Sequence, residues 1–367
     1  MICWLGWRLD GWLAGAVMAL LALGVLTAGV GNGGAARQAL FATTALAALL
    51  TMARLDYRLL RTTALPAAGY ALALLALGAV LVAGSAEFGS QRWIGVGGNT
   101  VQPSEFAKVA LVAALAALAA SRPPVSRPLL GSLALVAPPL ALVALEPDAG
   151  TALVLLVAWL AVVVTWGMPW RPLAGIAIGA LAATPLLFAL AVPDYQRERI
   201  AAFVDPGRDP LGSGFTLRQL ELALGSGGLT GRGLLPPADS ALAFVPARAS
   251  DFVFALVGEQ LGLLGAATVL TLFAVIAWRG LLAAARAPDR LGRVLAAGLT
   301  AVIFAQATVH IAVNLRLLPA TGIPLPFVSQ GGSALVAMAL AAGLIASVAA
   351  RRPPTSREQW TAQRWHS

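Results

Sequence analysis

Two residue types are almost absent from this chain of 367 residues. It has one cysteine, Cys3, so no disulfide can form within the chain. It also has a single lysine, Lys108, although Lys and Arg together number 25. Charged residues of both signs make up only 11% of the sequence. The chain is therefore no disulfide scaffold, and so low a charge content is atypical of a soluble domain.

Apolar residues are abundant instead. They make up 59% of the sequence, and its mean hydropathy is +0.82. One soluble core could not bury so much apolar side chain. A membrane span needs about 20 apolar residues, and its backbone must satisfy its own hydrogen bonds as a helix. The composition therefore predicts an all-α polytopic membrane protein.

Apolar stretches of spanning length recur along the whole chain, which is treated as one domain over residues 1–367. We count ten of them, at about residues 10–30, 38–53, 63–84, 104–120, 128–145, 149–166, 171–192, 251–278, 294–315 and 331–350. The first is expected to be a permanent anchor, since no small-residue cleavage site follows it. A long segment, 193–250, separates the seventh span from the eighth.

The basic residues predict the orientation of these spans. With the N-terminus in the cytoplasm, fifteen of the 25 basic residues fall in inner segments, and the short outer loops hold very few. The positive-inside rule thus favours ten spans with both termini cytoplasmic and 193–250 outside. The net charge of +9 reflects this topology and gives little support for nucleic-acid binding.

Glu105 and Lys108 stand at the entrance of the fourth span. An ionisable group at membrane depth costs about 3 kcal/mol, so it usually has a partner or a function. Residues three apart share one helix face, and a carboxylate in the first turn complements the helix dipole. Two interpretations stay open: a structural ion pair, or a pair that shapes a cavity and meets an anionic ligand.

Polar residues also interrupt the eighth and ninth spans. In an unbroken eighth helix, Glu259 would lie roughly 12 Å below Asp251, inside the apolar zone, where we expect structural pairing or a cavity role. His310 and Asn314 are four apart and share a face of the ninth span. A lone intramembrane histidine is more often a hydrogen-bonding group than a ligand.

The outer segments contain further candidates. Segment 193–250 is rich in Gly, Pro and Asp and is expected to fold as a cap; its GSGG run at 225–228 could hold a phosphate or simply form turns. The stretch TGIPLPFVSQGGSAL, with Ser329, Gly331 and Gly332, predicts an irregular segment that is buried or lines a cavity. Asp251 precedes the eighth span, where it could act as a helix cap or in catalysis.

Four motifs occur in order: RWIGVGGNTVQPSEFAKVA, DPLGSGF with GSGGLTGRG, SDFVFALVGEQLG, and TGIPLPFVSQGGSAL. Together they resemble the SEDS family (shape, elongation, division and sporulation), and the elongation-type members most. The resemblance implies a peptidoglycan glycosyltransferase that polymerises lipid II at the outer face of the cytoplasmic membrane, with a class B penicillin-binding protein as partner. It implies an essential acid at Asp251 and a membrane-facing cavity that includes Glu105 and Lys108.

The chemistry of such a transfer suggests roles for named residues. The acceptor hydroxyl must lose a proton as it attacks the anomeric carbon, and Asp251 is the candidate general base. An α-linked diphosphate that becomes a β-1,4 glycan implies inversion by one displacement, without a covalent nucleophile. Cationic groups would meet the diphosphate; the candidates are Arg92, Lys108, Arg208 and Arg248. The carboxylates lack the spacing of a metal motif, so a divalent cation stays an open alternative.

The chain departs from the family pattern at two places. Members commonly have Leu-Pro-Glu-x-His-Thr-Asp before the catalytic motif, whereas this chain has VPARASD over residues 245–251. It has Gln330 where a tyrosine is usual. The first departure weakens any scheme in which the missing Glu and His assist catalysis. Two other functions remain as alternatives: a lipid II flippase, and a scaffold for the penicillin-binding protein.

Overall fold

The structure is a computed structural model of the chain. It describes residues 3–4, 7–28, 34–62, 64–87, 90–96, 99–124, 126–191, 194–205, 207, 209, 212–234 and 239–351.

Helices dominate the described part of the chain. They are α1 (Gly11–Ala28), α2 (Gly34–Arg54), α3 (Ala64–Ala83), α4 (Pro103–Ser121), α5 (Ser126–Leu145), α6 (Ala149–Trp166), α7 (Trp170–Ala191), α8 (Asp194–Val204), α9 (Ser213–Ser226), α10 (Val253–Ala285), α11 (Arg290–Asn314) and α12 (Gly332–Ala350).

Eight of these helices are long and apolar enough, over their described residues, to cross a membrane: α1, α2, α3, α4, α6, α10, α11 and α12. Helices α5 and α7 coincide with the fifth and seventh predicted spans and have 20 and 22 residues. The prediction of an all-α polytopic membrane protein is confirmed.

Helices α4, α11 and α12 form the centre of the bundle. Small residues let these helices approach closely, as is usual where membrane helices pack. A Cβ added to Gly298 of α11 would lie 2.7 Å from Val112 of α4, and one added to Gly343 of α12 would lie 2.6 Å from the carbonyl oxygen of Leu49 in α2. Larger side chains at these glycines would force the helices apart.

Ion pairs join segments that the predicted topology places on the cytoplasmic side. Arg279, near the end of α10, binds Asp10 before α1 with an Nη2–Oδ2 distance of 2.5 Å. Arg351, after α12, binds Asp56 with an Nε–Oδ2 distance of 3.2 Å. These ion pairs therefore join segments that the positive-inside rule assigns to the same side of the membrane.

Strands β1 (Cys3–Trp4) and β2 (Trp7–Arg8) form a small hairpin just before Asp10 and α1. Other short strands and helices build the end of the bundle opposite to Asp10. Between α3 and α4, strands β3 (Ser85–Glu87), β4 (Ser90–Val96) and β5 (Asn99–Val101) form an antiparallel sheet in that order. Helices α8 and α9 belong to the predicted outer segment 193–250. This end of the molecule contains the largest number of predicted site residues.

Helix α10 is broken at Gly262, within the eighth predicted span. Gly262 has φ 64° and ψ −160° inside it, a conformation that favours glycine. The loop 227–233 enters the break: Leu263 N donates to Gly228 O at 2.9 Å, and Arg232 N donates to Glu259 O at 2.9 Å. The loop therefore replaces the helical hydrogen bonds that the break removes.

Glu259 fastens the outer segment to this break. Its side chain is fully buried and accepts hydrogen bonds from Ser240 Oγ and Ala241 N, both at 2.6 Å. Arg232 Nη1 lies 3.5 Å from its Oε1. The structural pairing expected of Glu259 is present, but its partners come from the outer segment. The glycine-rich run packs here too, since a Cβ on Gly227 would lie 2.0 Å from Gly258 O.

Candidate active site

Asp251 borders a cavity at the outer end of the bundle. The cavity has a volume of about 510 Å³, and residues from β4, α8, α9 and the loop before α10 line it. A turn sets the position of Asp251: its N–H and that of Ser250 both donate to Ala247 O, at 2.8 and 3.0 Å. Ala247 has φ 54°, an uncommon conformation for a residue other than glycine.

Asn314, and not Asp251, caps helix α10. The Asn314 Oδ1 atom accepts from Ala255 N in the first turn of α10 at 3.0 Å, and its Nδ2 donates to Asp251 O at 3.1 Å. The N-cap residue, Phe252, has no capping side chain. One amide thus supplies the acceptor that the helix start requires and holds the Asp251 backbone, so the interpretation of the Asp251 carboxylate as a cap is wrong.

The Asp251 carboxylate is partly buried and lies near the charges of Arg199 and Arg92. Ser250 Oγ lies 2.9 Å from its Oδ1. Burial raises the pKa of Asp251, and the Ser250 hydrogen bond and the charges of Arg199 and Arg92 oppose that increase. A raised pKa strengthens the carboxylate as a proton acceptor, as general-base catalysis requires.

Arg92 of β4 is held by the loop between α5 and α6. Its Nη2 donates to Pro147 O at 2.5 Å, and its Nη1 lies 3.8 Å from Asp148 Oδ1. Asp148 is itself fixed, because it caps α6 through Thr151 N at 3.0 Å. Arg92 is only 8% exposed and still lines the cavity, so its charge lies within a largely buried site.

Asp251 and Arg92 both lie beside Gly322 in the lining of the cavity. A Cβ on this residue would lie 3.4 Å from Asp251 Oδ2 and 3.7 Å from Arg92 Nη1. Gly322 has φ 74°, so its backbone also favours glycine. Arg199 of α8 lines the same cavity and donates from Nη1 to Ala320 O at 3.3 Å. The site therefore combines one carboxylate with two guanidinium groups.

Comparisons with known proteins identify the family. The model of the FtsW, RodA and SpoVE family, described as cell cycle proteins, matches residues 7–353. The chain belongs to this family. It is 39% identical over 292 residues to the peptidoglycan glycosyltransferase MrdB of Escherichia coli strain K12, and the match covers 78% of each chain.

Solved structures of the family have the same fold. A chain in a structure on coordination of polymerization and crosslinking by a peptidoglycan synthase complex gives a TM-score of 0.78 at 31% identity, over 94% of this chain and 98% of that one. The rod shape determining protein RodA of Thermus thermophilus gives 0.70 at 29% identity, over 95% and 98%. The resemblance to the SEDS family, and to RodA within it, is confirmed.

In this member of the family, Glu105 and Lys108 form a direct ion pair at 2.8 Å, as their spacing predicts. Both are fully buried, and Lys108 Nζ also donates to Gln306 Oε1 at 2.5 Å. Gln306 Nε2 donates in turn to Pro324 O at 3.1 Å. Neither charged residue lines the cavity of Asp251. Their charges are satisfied inside the bundle, and their contact with substrate stays a prediction.

Residues 315–331, which we call the outer connector, pack against α11 and the turn of Asp251. His310 Nδ1 lies 2.9 Å from Ile323 O. Ser329 Oγ donates to Ser250 O at 2.5 Å and accepts from Leu325 N at 2.8 Å. The expected irregular, buried segment is present, and Ser329 supports the Asp251 turn. Gly331 and Gly332 line a second cavity, about 370 Å³ in volume.

The two other arginines predicted to contact the diphosphate have different outcomes. Arg248 is half-buried and does not occur among the described residues that line the cavity of Asp251. Arg208 lies outside the described residues. Sequence reasoning missed Arg199, whose signal was a basic pair in the YQRER stretch of the outer segment.

Sequence reasoning also missed the EPD loop at 146–148. Glu146 is fully buried, and neither of its carboxylate oxygens has a hydrogen-bond partner among the described residues. Burial, with a smaller contribution from Asp148, raises the pKa of Glu146 to about 8, and Arg92 opposes this increase. Two acids in a short outer loop were the available signal. Within the described residues, no group of three or more His, Cys, Asp or Glu has an arrangement that could hold a metal ion.

Proposed function

We propose that this chain is a peptidoglycan glycosyltransferase of cell elongation that polymerises lipid II into β-1,4 glycan strands. The relatives named above support the reaction class. The observation that carries the proposal is the arrangement around Asp251: a carboxylate with no capping role borders a cavity whose walls also contain Arg92 and Arg199. This is the set of groups that glycosyl transfer from a diphosphate needs.

Asp251 acts as the general base. It removes the proton from the acceptor sugar hydroxyl, whose oxygen attacks the anomeric carbon of the donor as the bond to the diphosphate breaks. The displacement inverts the configuration at that carbon. The raised pKa of Asp251 suits this proton transfer.

Arg92 and Arg199 bind the diphosphate and stabilise the charge that develops on it as it leaves. Guanidinium groups suit phosphate oxygens because their donors match the geometry of the anion. The fixed position of Arg92 among Pro147 and Asp148 lowers the reorganisation that the transition state requires. Arg92 was expected from the sequence, and Arg199 replaces Lys108 in this role.

A transferase fits the structure better than a flippase. A flippase would use charged groups at membrane depth to move a large hydrophilic head group. The charged residues described there, Glu105, Lys108 and Glu259, are fully buried and have partners. They support packing, so the favoured function is transfer at one end of the bundle.

The proposal includes a membrane location and a partner for the protein. We propose that the protein lies in the cytoplasmic membrane with the cavity of Asp251 facing outward, since the positive-inside rule favours an outer location for the long segment 193–250. A class B penicillin-binding protein is the proposed partner, supported by the similarity to a chain of a peptidoglycan synthase complex. A pure scaffold for that partner would need no cavity of this composition.

The test uses purified protein with lipid II, with and without the class B penicillin-binding protein of the same organism. The expected product is glycan strands of many lengths, with more product in the presence of the partner. If neither sample forms strands while a known polymerase does so under the same conditions, the proposal is wrong. Lipid II transport across vesicles by the same preparation would instead favour the flippase.

A further inference from the structure

A second cavity lies beside the cavity of Asp251. Helix α2, the sheet between α3 and α4, and the end of the outer connector enclose it, and we call it the α2 cavity. Its volume is about 370 Å³, and its lining includes Arg37, Gln38, Phe41, Trp93 and Gln330. Trp93 lines both cavities. The two spaces are therefore neighbours that share one indole side chain.

Gln38, which lines this cavity, has one side-chain atom without a hydrogen-bond partner among the described residues. Its Nε2 lies within hydrogen-bonding distance of Val328 O and Ser329 O, at 3.2 and 3.3 Å, which fixes the direction of the carboxamide. Its Oε1 is buried and has no hydrogen-bond partner among the described residues, and Gln38 is only 1% exposed. An unpartnered buried acceptor is unfavourable, and a small movement of the Gln38 side chain toward the cavity would let a ligand O–H or N–H satisfy it.

Aromatic and cationic groups complete the lining. The Arg37 guanidinium lies 5.5 Å from the centre of the Phe41 ring, within the range of a cation–π contact. The Phe41 ring packs against Gly332, where an added Cβ would lie 2.8 Å from the ring. Across the cavity, Gln330 Nε2 would lie 3.2 Å from a Cβ on Gly34. Carboxamides, a guanidinium and aromatic rings thus line one small space.

These groups fit a sugar that carries amide and acidic substituents. Aromatic rings offer flat apolar surface to a pyranose ring, the Gln38 acceptor suits a hydroxyl or acetamido N–H, and Arg37 suits a carboxylate. We propose that the α2 cavity is a saccharide subsite, which holds sugar units of a substrate whose reacting end lies in the cavity of Asp251. This inference rests on the proposed function, because it assumes that the substrates at Asp251 are saccharides.

The test measures binding without catalysis. The probe is a lipid-free, uncrosslinked oligomer of alternating N-acetylglucosamine and N-acetylmuramic acid, titrated into the purified full chain in detergent by calorimetry. Gln330→Tyr places a larger side chain in the cavity, and Gln330→Ala is its matched control without added bulk. We expect Gln330→Tyr to weaken oligomer binding about tenfold or more, and Gln330→Ala to stay within about threefold of the unmodified chain.

A second substitution guards against a folding defect in Gln330→Tyr. Arg37→Gln is expected to weaken binding of this acidic oligomer and to leave binding of a neutral N-acetylglucosamine oligomer unchanged. Thermal melting of every variant in detergent shows whether it is folded. No binding to the unmodified chain, or equal binding by the unmodified chain, Gln330→Tyr and Arg37→Gln, would overturn the subsite.

Asp251→Asn separates this inference from the proposed function. It should still bind the oligomer in a Gln330-dependent way, since the subsite lies on the far side of Trp93. Oligomer binding by Asp251→Asn that Gln330→Tyr does not weaken would place the oligomer at Asp251 and overturn the subsite. If the unmodified chain binds the oligomer in a Gln330-dependent way but makes no strands from lipid II, the proposed function fails and the saccharide subsite stands.

Discussion

Asp251 and Glu105 are both acids at the start of an apolar helix, yet their surroundings differ in every respect that matters for function. Glu105 is fully buried, and Lys108 and Gln306 meet its carboxylate at 2.8 and 3.5 Å. Asp251 borders a cavity of about 510 Å³, and its side chain accepts a hydrogen bond from the neighbouring Ser250. The first acid is neutralised, and the second is accessible.

The difference shows how to interpret charged residues in a membrane protein. The cost of burying a charge is offset at Glu105 by a cation that is itself inaccessible, so the pair contributes packing and position. At Asp251 the nearby cations line a cavity, where a substrate can meet both charges. Burial with an internal partner indicates structure, and a shared cavity indicates chemistry.

The largest expected effect comes from breaking the buried ion pair of Glu105 and Lys108. Lys108→Met leaves the Glu105 carboxylate buried without its cation and should lower the free energy of unfolding by about 3 to 5 kcal/mol. The double substitution Glu105→Gln with Lys108→Met removes both charges and should recover most of that loss. Thermal melting in detergent measures the three proteins. Losses that simply add would rule out direct coupling.

A smaller effect is expected from a substitution in the cavity of Asp251. Arg199→Gln removes a cation from the cavity, so polymerisation of lipid II should fall by about 10²-fold. The pKa of Asp251 should also rise, because the charge of Arg199 lowers it, and the rising limb of the pH–rate profile should move to higher pH. Arg218→Gln, at an exposed arginine of α9, is the matched control. Equal losses in both variants would contradict a specific role for Arg199.

Asn314 contributes both to stability and to the site, because it caps α10 and donates a hydrogen bond to the Asp251 carbonyl. Asn314→Ala should lower the free energy of unfolding by about 1 to 2 kcal/mol and lower kcat more than it raises KM, since the base loses its position. Asn314→Asp keeps the cap and loses the contact to Asp251, so it should recover stability more than kcat. A loss of stability with unchanged kcat would show that Asn314 acts only as a helix cap.

Glu146 affects the pH dependence of stability. Its pKa is raised from 4.5 to about 8, so between those pH values the folded chain binds more protons than the unfolded chain. Stability contributed by this group is therefore present below about pH 4.5 and is lost as the pH rises toward about 8. Glu146→Gln should flatten that decline and raise the melting temperature at about pH 8 by about 2 to 4 °C. Parallel melting curves for both proteins at every pH would contradict the shift.

Local patterns in the sequence predicted much of this structure. Hydropathy located the spans, and the i, i+3 spacing predicted the Glu105–Lys108 pair. Asp251 was identified by its position before a span and by the motif around it. Each of these signals lies within a few residues of the feature that it predicts.

The remaining features depend on residues that are distant in sequence. Gln306, which closes the ion pair, is 198 residues from Lys108. Asn314, which frees Asp251 from capping, is 63 residues from it. The break at Gly262 lies in an apolar run, and the docked loop 227–233 accounts for it. No local periodicity encodes such contacts, so the sequence could not show that Lys108 is enclosed in the bundle whereas Arg199 lines the cavity.

The most direct test of the account measures turnover and melting on one preparation of Asp251→Asn. Asn314 provides the cap in the unmodified chain, so this change should leave the melting temperature unaltered. An amide cannot accept the proton, so strand formation from lipid II should fall by about 10²- to 10⁴-fold. A folded Asp251→Asn protein that makes no strands is the predicted result. Substantial polymerisation by that protein would contradict the assignment of Asp251 as the base.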